Sequence, residues 1–65
     1  MPILELSRAK VVRRLEREGW INEGGGKHDL FRHPARTGVA IVPRHRDLTL
    51  GVARTIAKAA GWQDA

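Results

Sequence analysis

The stretch that decides the fold is WINEGGGKHDLFRHP, residues 20–34. A short apolar segment, residues 20–22, precedes the turn EGGGK at residues 23–27. A second segment, residues 29–33, contains the apolar pair Leu30 and Phe31, follows the turn and stops at Pro34. Glycine permits a tight reversal of the chain, and proline cannot donate a hydrogen bond within a central ladder. The stretch therefore predicts two antiparallel strands joined by a glycine loop.

Helices are predicted on both sides of the strands. Ser7 and Thr49 each have a hydroxyl that can accept from the free N–H groups of a first helical turn. In both segments apolar residues recur at helical spacing, and Gly19 and Gly61 suit the left-handed position that ends a helix. The helices are therefore predicted over about residues 8–18 and 50–60.

A third strand completes the expected topology. Residues 38–42 are rich in β-branched side chains and stop before Pro43. The order is then α-β-β-β-α, and the short turns make the strands an antiparallel meander. Both helices belong on one face of this three-stranded sheet, because any other layering leaves an apolar stripe exposed. We expect one α+β domain over residues 1–65, with the other sheet face open.

Composition limits what the chain can do. Its 65 residues carry 12 Lys and Arg against 7 Asp and Glu, a net charge of +5. There is no cysteine, so no disulfide or thiolate metal site is possible. No apolar run approaches the roughly 20 residues that span a bilayer, and we expect a cytosolic protein that does not enter a membrane. The charge indicates a polyanion or an acidic protein as partner, or else serves only solubility.

Alternation of side chains along the second strand places His28, which directly follows the glycine loop, on the face away from the core. Phe31 is the core candidate of the second strand, so Asp29 and His33 share its side. His28 and Leu30 then point the other way, towards the open face. An outward Leu30 indicates either an interface or a bulge in the strand.

Three interpretations of this loop differ in chemistry. A metal site is not expected, because His28 and His33 lie on opposite strand faces and His45 has no partner at ligand spacing. The glycines at 24–26 permit close backbone approach to a phosphate, and Lys27 adds charge, but no helix follows as in a P-loop. A histidine can instead transfer protons at neutral pH, as RNA cleavage by its own 2′-hydroxyl requires.

Four blocks of the chain occur in the order found in one known family. The first ends a helix with Gly-Trp, the second joins a glycine-x-histidine motif to His-Pro, and the third ends a strand with Val-Pro-x-His. The fourth contains a Leu-x-x-Gly start and an Arg-x-Ile-x-Lys-x-Ala-Gly helix. Together they resemble the HicA (YcfA-like) toxins of bacterial toxin–antitoxin pairs. The blocks are LEREGW (15–20), GKHDLFRHP (26–34), GVAIVPRH (38–45) and LTLGVARTIAKAAGW (48–62).

The resemblance implies both an activity and a partner. It implies a double-stranded-RNA-binding-domain-like fold and a metal-independent endoribonuclease that cleaves mRNA without a cofactor. The family's catalytic histidine falls on His28, as the general acid/base. A HicB-like antitoxin is implied as the protein that covers this site. The chain departs from the family at Lys27, where serine is common, and the lysine adds a cation beside the scissile phosphate.

The remaining candidates are groups that could contact the RNA backbone. Two rival hypotheses stand beside the nuclease: a non-catalytic RNA-binding module of the same fold, and a structural subunit that docks an acidic protein. His33 before Pro34 is expected to be structural. As an alternative to RNA contact, the two basic residues of the second helix are simply helix surface. The residues predicted to bind RNA are Gly26, Lys27, Arg44, His45, Arg54 and Lys58.

Overall fold

The computed structural model describes residues 4–62, and the predicted order of elements is confirmed. Residues 1–3 and 63–65 of the expected domain lie outside the described part. Strand ends differ from the expected ones by a single residue, so that the second strand begins at His28 instead of residue 29. The elements are α1 (Arg8–Arg17), β1 (Ile21–Asn22), β2 (His28–Arg32), β3 (Val39–Pro43) and α2 (Leu50–Ala60).

Both helices begin and end as capping chemistry predicts. The side chains of Ser7 and Thr49 accept from the backbone N–H three residues further on. Each helix closes with a glycine of positive φ, after which the N–H of Trp20 or Trp62 donates to the carbonyl five residues earlier. These turns direct both indoles back towards the core, where Trp20 is buried and Trp62 packs half-buried. No helix within residues 4–62 is long and apolar enough to cross a bilayer.

The three strands form one antiparallel meander in the order β1-β2-β3. Phe31 pairs with Ala40, and both are buried beneath the helices, as is Val42. The opposite face carries His28 and Leu30, so the predicted alternation along β2 is confirmed. One core joins this sheet face to both helices. Its buried side chains are Val11, Leu15, Trp20, Phe31, Ala40, Val42, Leu48, Ala53, Ile56 and Ala60.

A polar contact fastens the end of α2 to α1. The Trp62 indole N–H donates to one oxygen of Glu18 at 2.7 Å, and Arg14 Nε donates to the other at 3.1 Å. The Arg14 guanidinium also lies 4.1 Å from the centre of the Trp62 ring. Burial raises the pKa of the Glu18 carboxyl, but these hydrogen bonds and the arginine charges outweigh burial and leave the pKa below its ordinary 4.5.

Candidate active site

His28 is the first residue of β2 and lies at one end of the open sheet face. It pairs with Pro43 of β3, and its side chain is exposed. Among the hydrogen bonds of residues 4–62, none involves the His28 imidazole. Lys27, immediately before it, is also exposed and forms no ion pair within that part of the chain. The imidazole is therefore exposed, and neither of its nitrogens is bonded to another group within residues 4–62.

The glycine loop folds back onto the start of β2. The side chain of Asn22 accepts from Gly24 N–H at 2.7 Å, and Leu30 N–H donates to the Gly24 carbonyl at 3.2 Å. A Cβ on Gly25 would overlap the carbonyl oxygen of His28. Glycine at position 25 is thus required by a close approach between the loop and the backbone of His28.

Beneath the loop lies a buried carboxylate. Asp29 is only 7% exposed and is the one buried charged side chain in the described structure. Arg8 donates to one carboxylate oxygen, and Arg44 Nε donates to the other at 3.0 Å. Burial raises the pKa of Asp29, whereas the hydrogen bond and charge of Arg44, the charge of Arg8 and a bond from Asn22 lower it more. The pKa therefore lies below its ordinary 3.8.

Arg44 connects this carboxylate to the loop. Its two terminal nitrogens donate to the carbonyls of Gly26 and Gly25, each at 3.0 Å. Sequence reasoning selected Arg44 and Gly26 as RNA contacts but did not predict that they bond to each other. Their separation of 18 residues is closed by the pairing of β2 with β3.

The predicted RNA-binding residues fall into two groups. Gly26, Lys27, Arg44 and His45 gather with His28 at one end of the sheet, because the loop and the end of β3 adjoin there. The others lie on α2, in the helix layer that covers the opposite sheet face. They are Arg54 and Lys58, both exposed. Within residues 4–62 no ion pair involves either of them, and their contact with RNA stays a prediction.

His33 is a structural residue, as expected. Its Nδ1 accepts from Ala35 N–H at 3.0 Å, so Nε2 carries the hydrogen and donates to the Glu18 carbonyl at 2.9 Å. The ring also packs edge-on to Trp20, with centroids 5.3 Å apart. Both ring nitrogens are occupied. In the described chain no three His, Cys, Asp or Glu side chains form a group that could hold a metal ion.

The open face beside His28 is more apolar than the alternation along β2 alone predicts. Leu30, predicted to point outward, is half-buried and pairs with Ile41, which is 50% exposed. Ile21 is 60% exposed at the other edge of the sheet. The sequence did not predict that Ile41 lies beside Leu30. A run of β-branched residues predicts a strand, but it does not show which residue of the neighbouring strand lies opposite each side chain.

A three-stranded antiparallel meander covered on one face by two helices, in the order α-β-β-β-α, defines a small α+β domain. Residues 8–62 match the family described as the HicA toxin of bacterial toxin–antitoxin systems. The chain belongs to this family, whose members are known as mRNA interferases. Membership implies an antitoxin partner. A search of curated proteins found no match.

The close approach at Gly25 generates a first prediction. Gly25→Ala should disturb the loop and the start of β2, because the new methyl group meets the backbone of His28 and cannot turn away. Amide NMR shifts at residues 24–28 should change. Gly26→Ala is the matched control, since a Cβ there meets nothing within 4 Å. Equal spectral changes in both variants would contradict the close approach.

Asp29 generates a prediction about acid stability. Its folded pKa lies below the ordinary 3.8, so below about pH 5 the unfolded chain binds more protons, and the stability contributed by the ionised carboxylate is lost as pH falls. Urea unfolding followed by tryptophan fluorescence should show this decline in the wild type. Asp29→Asn should be less stable at pH 7 and decline less in acid, since it has no such carboxylate. Parallel pH curves would contradict the assignment.

Proposed function

We propose that this chain is a metal-independent endoribonuclease toxin that cleaves mRNA in the cytosol, with His28 as its general acid/base. The observation that supports this role is an exposed imidazole, without a hydrogen-bond partner in residues 4–62, beside a glycine loop on a basic protein. Family membership supports RNA as the substrate. By contrast, both nitrogens of His33 are bonded, and that histidine serves the fold.

The proposed reaction uses the RNA's own 2′-hydroxyl as the nucleophile. The 2′-oxygen forms a bond to phosphorus while the bond from phosphorus to the 5′-oxygen breaks. Neutral His28 accepts the proton from the 2′-hydroxyl while water protonates the leaving 5′-oxygen, or protonated His28 donates a proton to the leaving 5′-oxygen while water takes the proton of the 2′-hydroxyl. The products are a 2′,3′-cyclic phosphate and a 5′-hydroxyl.

Cations at the same end of the sheet support the charge changes in this reaction. Negative charge grows on the phosphoryl oxygens in the transition state, where fixed positive groups stabilise it most. Lys27 adjoins His28 and is exposed, and His45 follows Arg44 in the loop beside it. The proposed phosphate contacts at this end of the sheet are the side chains of Lys27, Arg44 and His45. Arg54 and Lys58 would extend the contact along α2 if the RNA passes around the sheet edge.

We also propose that a HicB-like antitoxin covers the open sheet face. Ile21 and Ile41 are half or more exposed there, and the half-buried Leu30 lies between Ile41 and the glycine loop. An apolar patch on a chain of net charge +5 suits a partner with apolar anchors and acidic side chains around them. Covering this face would exclude RNA from His28 by occlusion.

His28→Ala tests the nuclease. The variant should lose RNA cleavage and toxicity yet keep its stability within about 0.5 kcal/mol, since the side chain is exposed and has no partner among residues 4–62. Wild-type cleavage should persist in excess EDTA, leave 2′,3′-cyclic ends, and fail at a 2′-deoxy position. His33→Ala is the contrasting control, expected to lower the melting temperature.

The outcomes of this test separate the proposals. Undiminished cleavage by His28→Ala would remove that residue from the mechanism. Cleavage abolished by EDTA and restored by a divalent ion would contradict the metal-independent route. If the wild-type protein binds RNA but does not cleave it, the result would support the rival hypothesis of a non-catalytic RNA-binding module.

Ile41→Asp tests the antitoxin surface. It should weaken binding of the antitoxin at least about tenfold, because a buried carboxylate would replace an apolar anchor, while folding changes little. Leu50→Asp is the matched control: Leu50 is 53% exposed, close to the 50% of Ile41, but lies on α2 in the other layer. Isothermal titration measures both. If Leu50→Asp weakened binding more than Ile41→Asp, the helix layer would be the interface.

A further inference from the structure

We infer that Arg44 is a positioning residue that holds the glycine loop, and with it His28, in place for RNA cleavage. The inference rests on the proposed catalytic role of His28. This function differs from contact with a phosphate. The guanidinium binds the carbonyls of the glycine loop, and the loop in turn fixes the position of the histidine.

The geometry of the guanidinium supports this role. Three of its five N–H donors are bonded: Nε to Asp29, and one on each terminal nitrogen to Gly26 and Gly25, all at 3.0 Å. A planar fork can reach three acceptors that diverge in this way, whereas the ammonium group of lysine is a single point of charge. The bonds depend on the shape of the arginine side chain as well as on its charge.

Asp29, the carboxylate that binds Arg44, is itself fixed to buried parts of the fold. Asp29 is buried, and its second oxygen is bonded by Arg8, whose Nε also donates to the Pro43 carbonyl at 2.9 Å. Arg8 is the first residue of α1. Arg44 is thus attached through Asp29 to a helix and to the end of β3. The loop is thus connected to packed elements of the fold.

The other contact of the loop leads to His28. Gly25 packs directly against the carbonyl of His28, and only Lys27 separates the bonded Gly26 from the histidine along the chain. A loop released from Arg44 can therefore move the start of β2, including the imidazole. Misplacement of a catalytic group by about 1 Å can cost on the order of 100-fold in rate.

Direct phosphate contact and positioning predict different kinetics. A residue that binds RNA phosphate raises KM when removed and lowers the salt dependence of binding by about one ion. A residue that only places the catalytic group lowers kcat and leaves KM and the salt dependence nearly unchanged. The half-exposed side chain of Arg44 retains two N–H donors, so the experiment has to separate the two roles.

The test compares Arg44→Lys and Arg44→Ala with Arg46→Ala. Arg46 lies in the same loop, and no ion pair or side-chain hydrogen bond within residues 4–62 involves it, so its loss changes charge alone. Both Arg44 variants should lower kcat for single-stranded RNA about 10- to 100-fold with KM changed less than about twofold. Amides of residues 25–28 should exchange faster with deuterium. Arg46→Ala should leave kcat and these amides unchanged.

Arg44→Lys keeps the proposal testable if Arg44→Ala fails to fold, because it preserves the charge opposite Asp29. Unchanged amide exchange in Arg44→Lys, or a raised KM with a reduced salt slope in Arg44→Ala, would overturn the positioning role. Failure of His28→Ala to lose activity would overturn the nuclease mechanism instead. The exchange measurement still reports whether Arg44 holds the loop, so the two failures are distinguishable.

Discussion

The buried carboxylate of Asp29, bonded on both sides by arginine, is the interaction on which the site depends. An ionised carboxylate removed from water is unfavourable unless opposite charges and hydrogen bonds compensate. Here Arg8 and Arg44 supply them, and the lowered pKa of Asp29 reflects the balance. Arg8 is the first residue of α1, and Arg44 directly follows β3. The buried charge of Asp29 on β2 therefore connects α1, β2, the end of β3 and the glycine loop.

The two faces of the sheet have separate tasks. The face covered by the helices contains Phe31 and other buried side chains of the core. The open face carries the exposed His28 together with the half-buried Leu30 and the exposed Ile41. In the proposed function this arrangement lets one surface serve both substrate and antitoxin, so that binding of either excludes the other.

The sequence predicted the elements closely because the signals that form them are local. A hydroxyl accepts from an N–H three residues away, and a glycine lets the following tryptophan fold back on its own helix. Alternation from Phe31 placed His28 on the open face by the same kind of short-range reasoning. The shift of β2 to begin at His28 arose because ladder pairing with Pro43 extends the strand further than composition alone suggests.

By itself the sequence determined the order of helices and strands, the side of the sheet that each β2 residue faces, and the resemblance that selected His28. Only the tertiary structure decided that Arg44 meets Gly25 and Gly26 and that Ile41 lies beside Leu30. The physical reason is separation along the chain. Periodicity encodes the face on which a side chain lies, whereas its partner depends on strand register and on which buried charge must be neutralised.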